Sequence, residues 1–270
     1  MTAEATFLRI VQSEGPGGAS LYAPAGEGPF AAVLLLHGSE GGLGWLAHRA
    51  AMMFAAHGFL ALPTPYDLGG NFWIGGDVWS VDIDATERAA LALRQHPLSN
   101  GRLGVYGWSR GAEHALLLAC LAARDGGHAP DAVAAHAPPD KVMGPWRNLF
   151  QRDKDEAVGG PPVWRFRADR VRPGLSAWSW RGVALAEGEA IPVEAYAGPM
   201  FLSVGGEDEL WPADMAGRLA ARRRAAGLAV DYHLYPGQRH MPDPAGWNVH
   251  FEQVLGFLGG CLASGRGAGR

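Results

Sequence analysis

The chain has 270 residues, of which 48% are hydrophobic and 19% are charged, a balance that fits one large folded core and excludes a disordered protein. A net charge of -4 argues against a general nucleic-acid-binding protein, and Cys120 and Cys261 imply neither a disulfide framework nor a cysteine metal site. No run reaches the roughly 18 apolar residues of a membrane span, and residues 1–5 lack a signal-peptide pattern, so we expect a cytoplasmic protein.

Apolar runs and helical periodicity alternate along the chain. The predicted strands cover 7–12, 19–22, 30–36, 59–62, 102–106, 132–136, 200–204 and 230–235. The predicted helices cover 44–57, 81–95, 109–124, 213–226 and 247–262. Because strands alternate with helices after an initial antiparallel pair, we expect one α/β domain over 1–270, with a mostly parallel sheet covered by helices on both faces.

The segment 140–191 interrupts this alternation, since it has no clean period and is rich in tryptophan and arginine. Its position after the strand 132–136 predicts a lid-like insertion. We expect the substrate to contact the tryptophans Trp108, Trp146, Trp178 and Trp180, with Trp164 also in the insertion. Arg165, Arg167 and Arg170 belong to a basic stretch that either attracts an anionic substrate or forms a solvated surface.

The pentapeptide Gly107-Trp108-Ser109-Arg110-Gly111 lies between a predicted strand and a predicted helix. This context is typical of a nucleophile elbow, in which a sharp turn exposes the serine oxygen at a helix N-terminus. Glycines on both sides of the serine allow the strand and the helix to approach each other closely. We therefore predict that Ser109 is a catalytic nucleophile.

A serine nucleophile needs a base, and the base needs an orienting carboxylate. In the α/β-hydrolase plan the acid and then the histidine follow the serine along the chain. Asp208, just after the strand 200–204, is the predicted acid, with Glu207 and Glu209 as alternatives. His240, after the last strand, is the predicted base, whereas His233 and His250 are expected to have packing roles.

An oxyanion hole needs two N–H donors. One is expected from Arg110 and the other from Ser39 or Glu40, in the glycine-rich loop 38–42, and the sequence leaves this choice open. We expect Glu113 to be structural, holding the acid loop or the loop 38–42, with an exposed helix residue as the alternative. The histidines show no metal-ligand spacing, so we predict no metal and no cofactor.

Several motifs together resemble the catalytic domain shared by acyl-CoA thioesterases and bile acid-CoA:amino acid N-acyltransferases. They are G-W-S-R-G-A-E at 107–113, G-E-D-E-L-W-P at 206–212, Y-P-G-Q-R-H at 235–240 and G-S-E-G-G at 38–42. The resemblance covers about 30–262 and implies an α/β-hydrolase fold with Ser109, Asp208 and His240 as the triad. Arg239 departs from the family, in which glycine usually precedes the histidine.

These observations predict a serine hydrolase that cleaves small-molecule acyl thioesters or carboxylic esters through an acyl-enzyme. Serine in place of the acyltransferases' cysteine favours hydrolysis over transfer. The alternatives are an acyltransferase, a small-ester hydrolase of the dienelactone-hydrolase type, and a non-catalytic binding module. We expect no nucleic-acid partner and no membrane span. The sequence does not decide the acyl chain, the leaving group, or whether the chain forms a homodimer.

Overall fold

The computed structural model describes residues 9–42, 45–68, 75–146 and 176–263. The strands are β1 (Ile10–Glu14), β2 (Ser20–Pro24), β3 (Phe30–Leu36), β4 (Phe59–Thr64), β5 (Val81–Asp82), β6 (Ser99–Trp108), β7 (Ala132–His136), β8 (Trp178–Trp180), β9 (Val183–Ala184), β10 (Met200–Gly205) and β11 (Asp231–Tyr235). The helices are α1 (Trp45–Ala56), α2 (Ile83–Arg94), α3 (Arg110–Arg124), α4 (Asp214–Ala225) and α5 (Pro244–Leu262).

Eight strands form the central sheet in the order β1-β2-β4-β3-β6-β7-β10-β11. β1 pairs with β2, and β2 with β4, in antiparallel fashion, whereas every neighbouring pair from β4 to β11 is parallel. The prediction of a mostly parallel sheet after an antiparallel start is confirmed. Because the carboxyl ends of parallel strands meet at one edge, the loops after β3, β6, β10 and β11 gather there.

The helices cover both faces of the sheet, and β3 shows why its sequence is apolar without interruption. Leu34 and Leu36 belong to the core cluster beneath α2, α3 and α4. Val33 and Leu35 belong to the cluster beneath α1 and α5. Successive side chains of a strand point to opposite faces, so a strand covered on both sides needs apolar residues at every position.

The helix predicted from residue 81 begins instead at Ile83. Val81 and Asp82 pair with Trp178 and Ser179 as β5 and β8, and β9 completes this small second sheet. Asp82 then caps α2, since its side chain accepts a hydrogen bond from the Asp84 N–H at 3.0 Å. β5 and β8 were not predicted because they are short and their pairing joins segments almost a hundred residues apart.

The strands predicted over 30–36 and 132–136 have the predicted bounds, and the other predicted elements are present with shifted ends. β6 is longer than expected, and β4 continues through Pro63, which pairs with Leu35 on its neighbour. β1 covers Ile10–Glu14, whereas the prediction was 7–12, and residues 7 and 8 of that prediction lie outside the described residues. Within the described parts of the chain, no helix is both long and apolar enough to cross a membrane.

Candidate active site

Ser109 lies in a sharp turn between the end of β6 at Trp108 and the start of α3 at Arg110. Its backbone has φ 54°, in the left-handed region that non-glycine residues rarely adopt. A Cβ at Gly107 would lie 2.1 Å from the Gly111 carbonyl oxygen, and one at Gly111 would lie 2.0 Å from the Leu36 carbonyl oxygen. Both glycines are therefore required by the close approach of strand and helix.

The structure brings the three predicted catalytic residues together at the carboxyl edge of the sheet. The Ser109 Oγ lies 2.9 Å from the His240 Nε2, and the His240 Nδ1 lies 2.8 Å from the Asp208 Oδ2. This is the geometry of a nucleophile, a base and an orienting acid. The catalytic roles of the three residues stay predictions that substitution must test.

The Asp208 carboxylate is held by the loop that carries it. Its Oδ1 accepts hydrogen bonds from the N–H groups of Leu210 and Trp211, both at 2.9 Å. Burial opposes ionisation of Asp208, but the contact with His240 and these N–H groups lower its pKa below the ordinary value. Asp208 is therefore ionised at neutral pH and oriented toward the histidine.

The two alternative acids have other environments. Glu207 is exposed. The Glu209 Oε2 accepts a hydrogen bond from the His240 main-chain N–H at 3.1 Å, so Glu209 fixes the histidine loop rather than the imidazole ring. Neither residue forms the hydrogen bond to His240 Nδ1 that Asp208 forms.

The other two candidate histidines lie in packing environments. His233 stacks on Phe201 with ring centroids 4.8 Å apart. His250 is buried, and its Nε2 lies 2.8 Å from the Tyr106 hydroxyl. Across the described ranges, no three histidine, cysteine, aspartate or glutamate side chains are grouped as a metal site requires.

The residues predicted to form the oxyanion hole, Ser39, Glu40 and Arg110, line the same cavity as Ser109. The Glu40 carboxylate faces its own loop, because Oε1 accepts from the Gly38 N–H at 2.9 Å and from the Trp108 Nε1 at 2.6 Å. Burial raises the pKa of Glu40. The side chain thus holds the loop in the turn that carries the two candidate donors.

Asp67, which was not predicted as a site residue, also holds the loop 38–42 in place. Its carboxylate accepts from the Gly42 N–H at 3.3 Å and from the Gly76 N–H, and its Oδ1 lies 3.2 Å from the His37 Nε2. Burial alone would raise the pKa of Asp67, but the contacts with His37 and the N–H groups lower it to about 2. Its position after Pro63 and Pro65 gave no signal of this role.

A cavity of about 410 Å³ opens directly above Ser109 and His240. Its apolar lining is formed by Leu46, Trp146, Leu210, Trp211 and Met241. Trp146 was expected in this position, whereas the other four were missed. Trp211 had a recognisable signal, because it belongs to the acid-loop motif at 206–212. The cavity can hold an apolar group attached to a carbonyl at Ser109.

Three tryptophans expected to contact substrate do not line this cavity. The Nε1 of Trp108 donates to Glu40, that of Trp178 to Glu113 at 2.8 Å, and that of Trp180 to Asp125 at 2.7 Å. All three are buried by packing within the fold. Residues 147–175 of the expected lid lie outside the described residues, and with them Trp164, Arg165, Arg167 and Arg170.

Glu113 is structural and fully buried, so the exposed alternative is wrong. Its expected partners were also wrong, since the hydrogen bonds of its carboxylate go to neither the acid loop nor the loop 38–42. Its carboxylate accepts from the Arg110 Nη1 at 2.9 Å, the Met143 N–H at 2.7 Å and the Trp178 Nε1 at 2.8 Å. Glu113 therefore fastens the segment after β7, together with β8, to the elbow helix.

The sheet order, the elbow and the site at the carboxyl edge define an α/β-hydrolase fold, and solved structures confirm it. An α/β-hydrolase enzyme from a Medee basin deep-sea metagenome library aligns over 95% of this chain and 99% of its own, with TM-score 0.56 and 16% identity. A brefeldin A esterase, a bacterial homologue of human hormone-sensitive lipase, aligns over 97% of this chain and 79% of its own, with TM-score 0.58 and 20% identity.

The relatives in sequence confirm the resemblance that the motifs indicated, although no family model matches the chain. Acyl-coenzyme A amino acid N-acyltransferase 1 and acyl-coenzyme A thioesterase 6, both from Mus musculus, are each 29% identical to it over 93% of its length. The chain spans 59% of the length of each of these two proteins.

Proposed function

We propose that the protein is a serine hydrolase that cleaves acyl thioesters or carboxylic esters through an acyl-enzyme on Ser109. The observation that carries the proposal is the hydrogen-bonded series of Ser109, His240 and Asp208, with distances of 2.9 and 2.8 Å, at the base of a partly apolar cavity. Nucleophilic acyl transfer requires an accessible serine nucleophile, a base that accepts its proton and a carboxylate that orients the base.

In the acylation step the Ser109 oxygen bonds to the substrate carbonyl carbon while the His240 Nε2 accepts the hydroxyl proton. The ionised Asp208 stabilises the imidazolium that forms. The negative charge on the carbonyl oxygen is stabilised by the Arg110 N–H and by the N–H of Ser39 or Glu40. When the bond to the leaving group breaks, His240 passes its proton to the departing sulfur or oxygen.

Deacylation repeats these events with water as the nucleophile. His240 accepts a proton from the water as its oxygen bonds to the acyl carbonyl carbon. The bond to Ser109 then breaks, and the serine oxygen takes the proton back from His240. The free acid leaves, and the enzyme returns to its starting state without a cofactor.

The acyl group is the part of the substrate that the cavity suits, because Trp146, Trp211 and Leu46 offer an apolar wall beside Ser109. The two relatives named above are described as acting on acyl-coenzyme A, which supports an acyl thioester as the substrate class. Hydrolysis is favoured over transfer to an amine, because the nucleophile is serine and not the cysteine expected of the acyltransferases.

The test combines labelling with turnover. A fluorophosphonate should label Ser109, identified by mass spectrometry, and Ser109→Ala should abolish both the labelling and the hydrolysis of acyl-CoA and p-nitrophenyl esters of graded chain length. Labelling at another residue, or hydrolysis by Ser109→Ala at the wild-type rate, would overturn the proposal.

The same assay separates hydrolysis from acyl transfer. With a free amino acid added at increasing concentration, a hydrolase yields the free acid at every concentration. An acyltransferase yields the amide at the expense of the acid, as the product masses would show.

A further inference from the structure

The first turn of α3 contains a buried ion pair that the proposed reaction does not use. The Arg110 Nη1 lies 2.9 Å from the Glu113 Oε2, and the two side chains are 1% and 0% exposed. Burying two charges is unfavourable unless further hydrogen bonds compensate for the lost water. The other hydrogen bonds of the two side chains therefore indicate what the pair does in the fold.

Both side chains bind the same neighbouring segment. The Glu113 Oε1 accepts the Met143 N–H at 2.7 Å, and the Arg110 Nη2 donates to the Gly144 carbonyl oxygen. The Trp178 Nε1 adds a third bond, to the Glu113 Oε1 at 2.8 Å. The pair thus grips two consecutive residues on one side and β8 on the other.

The gripped residues lead directly into the wall of the cavity. Trp146 follows Gly144 by two positions, and its side chain lines the cavity beside Ser109. Its main chain exchanges two hydrogen bonds with Val78, at 2.7 and 2.8 Å. The main chain of Trp146 is therefore held by Val78 directly. It is also held by the first turn of α3, through the bonds that this turn makes to Met143 and Gly144 just before it.

We propose that the Arg110–Glu113 pair is a positioning device for acyl selectivity, which sets the distance between the Trp146 wall and Ser109 through its bonds to Met143 and Gly144. The inference rests on the proposed acyl-transfer function. Trp146 contacts the acyl chain, and Glu113 acts only through it. A long acyl chain has more methylene groups to place against this wall than an acetyl group has, so the position of the wall affects the long chain more.

The readout is the ratio of kcat/KM for p-nitrophenyl octanoate to kcat/KM for p-nitrophenyl acetate. Both substrates are neutral and share a leaving group, so only the acyl chain differs. Each methylene that loses its apolar contact lowers binding about fourfold, so the loss of two contacts lowers the ratio about tenfold or more. We expect this fall in Glu113→Gln, mainly through KM, and a comparable fall in Trp146→Ala.

The matched control is Asp125→Asn, at the other end of α3. Asp125 also accepts a hydrogen bond from a tryptophan of β8, the Trp180 Nε1 at 2.7 Å, but it does not line the cavity. The ratio should stay at the wild-type value in this variant. An equal fall in Asp125→Asn would overturn the proposal, because any loosening of β8 would then suffice.

A second variant distinguishes positioning from plain stability. The double substitution Arg110→Met/Glu113→Leu removes both buried charges, so that neither is left unpaired, and it keeps the Arg110 main-chain N–H. The bonds to Met143, Gly144 and Trp178 are still lost, so the ratio should stay low. Arg223→Met, which lowers stability at a buried arginine of α4 that does not line the cavity, should keep the wild-type ratio. A recovered ratio in the double variant, an unchanged ratio in Glu113→Gln, or an equal fall in Arg223→Met would refute the proposal. Failure of the proposed function would differ, because the wild type would then turn over neither ester.

Discussion

Arg223 offers the sharpest test of how the sheet is held together away from the active site. The side chain is fully buried in α4 and makes five hydrogen bonds to main-chain carbonyl oxygens. The acceptors are Val193, Tyr196 and Gly198, on the segment leading into β10, and Ala229, before β11. One guanidinium thus fastens the entry to two neighbouring strands.

Arg223→Met keeps an apolar stem and removes all five hydrogen bonds. At a net value of about 1 kcal/mol for each bond, reduced by the burial of the charge, the expected loss of unfolding free energy is about 3–5 kcal/mol. For a chain of this size a loss of 1 kcal/mol lowers the Tm by about 2–4 °C, so the Tm should fall by about 6–20 °C. Arg223→Lys should recover little of it, because an ammonium lacks the planar fork.

The matched control is Arg222→Met on the same helix. Arg222 is only half-buried and forms a surface ion pair with Glu194 at 2.6 Å, which contributes about 0–1 kcal/mol. Differential scanning calorimetry should therefore show a much smaller fall in Tm for Arg222→Met. Equal shifts in the two variants would refute the reasoning. The hydrolysis rate of folded Arg223→Met should match the wild type, since its acceptors precede β10 and β11 rather than follow them.

Three further predictions follow from the site and its surroundings. Ser109→Ala, Asp208→Asn and His240→Ala should each lower kcat about a thousandfold or more while circular dichroism shows that the fold is retained. Ser109→Ala/His240→Ala should be little worse than Ser109→Ala, whereas losses that multiply in the double variant would show that the residues act independently. Neither ring nitrogen of buried His114 has a hydrogen-bond partner among the residues described, and burial lowers its pKa to about 3. Below about pH 6.5 the unfolded chain therefore binds a proton at this histidine that the folded chain does not bind, which destabilises the fold. His114→Leu should raise the Tm, and the gain should be larger at about pH 5 than at about pH 8. An equal gain at both pH values would contradict this. The low folded-state pKa of Asp67 stabilises the fold above about pH 4, and this contribution is lost as the pH falls toward about 2. In denaturant titrations Asp67→Asn should be about 2 kcal/mol less stable than wild type at neutral pH and should approach it near about pH 2, whereas a constant difference would exclude the linkage.

The parts of the fold that the sequence predicted are those with local signals. Apolar runs such as 30–36 mark strands covered on both faces, and the pentapeptide around Ser109 marks the elbow. Asp208 and His240 follow predicted strands, so a parallel sheet was enough to expect them near Ser109. The distances between them required the structure.

Other features depend on contacts between distant segments and have no local signal. The tryptophans of β8 were expected at the substrate because composition cannot show that Glu113 and Asp125 accept their N–H groups. Arg223 is different, because a signal existed. It continues the stripe of Ala216, Leu219 and Ala220, which are buried on the same face of α4. Helical periodicity therefore places Arg223, but not Arg222 or Arg224, on the buried face of α4. The signal is easily overlooked because arginine is usually an exposed residue.

The left-handed backbone at Ser109 has an evolutionary consequence. A non-glycine residue there carries about 1–3 kcal/mol of strain that glycine would not, so under the proposed mechanism serine is kept at this position by the reaction and not by the fold. In a lineage released from the reaction, selection for stability alone would favour glycine at position 109. A glycine at position 109 in a descendant sequence would therefore indicate that the proposed chemistry has been lost.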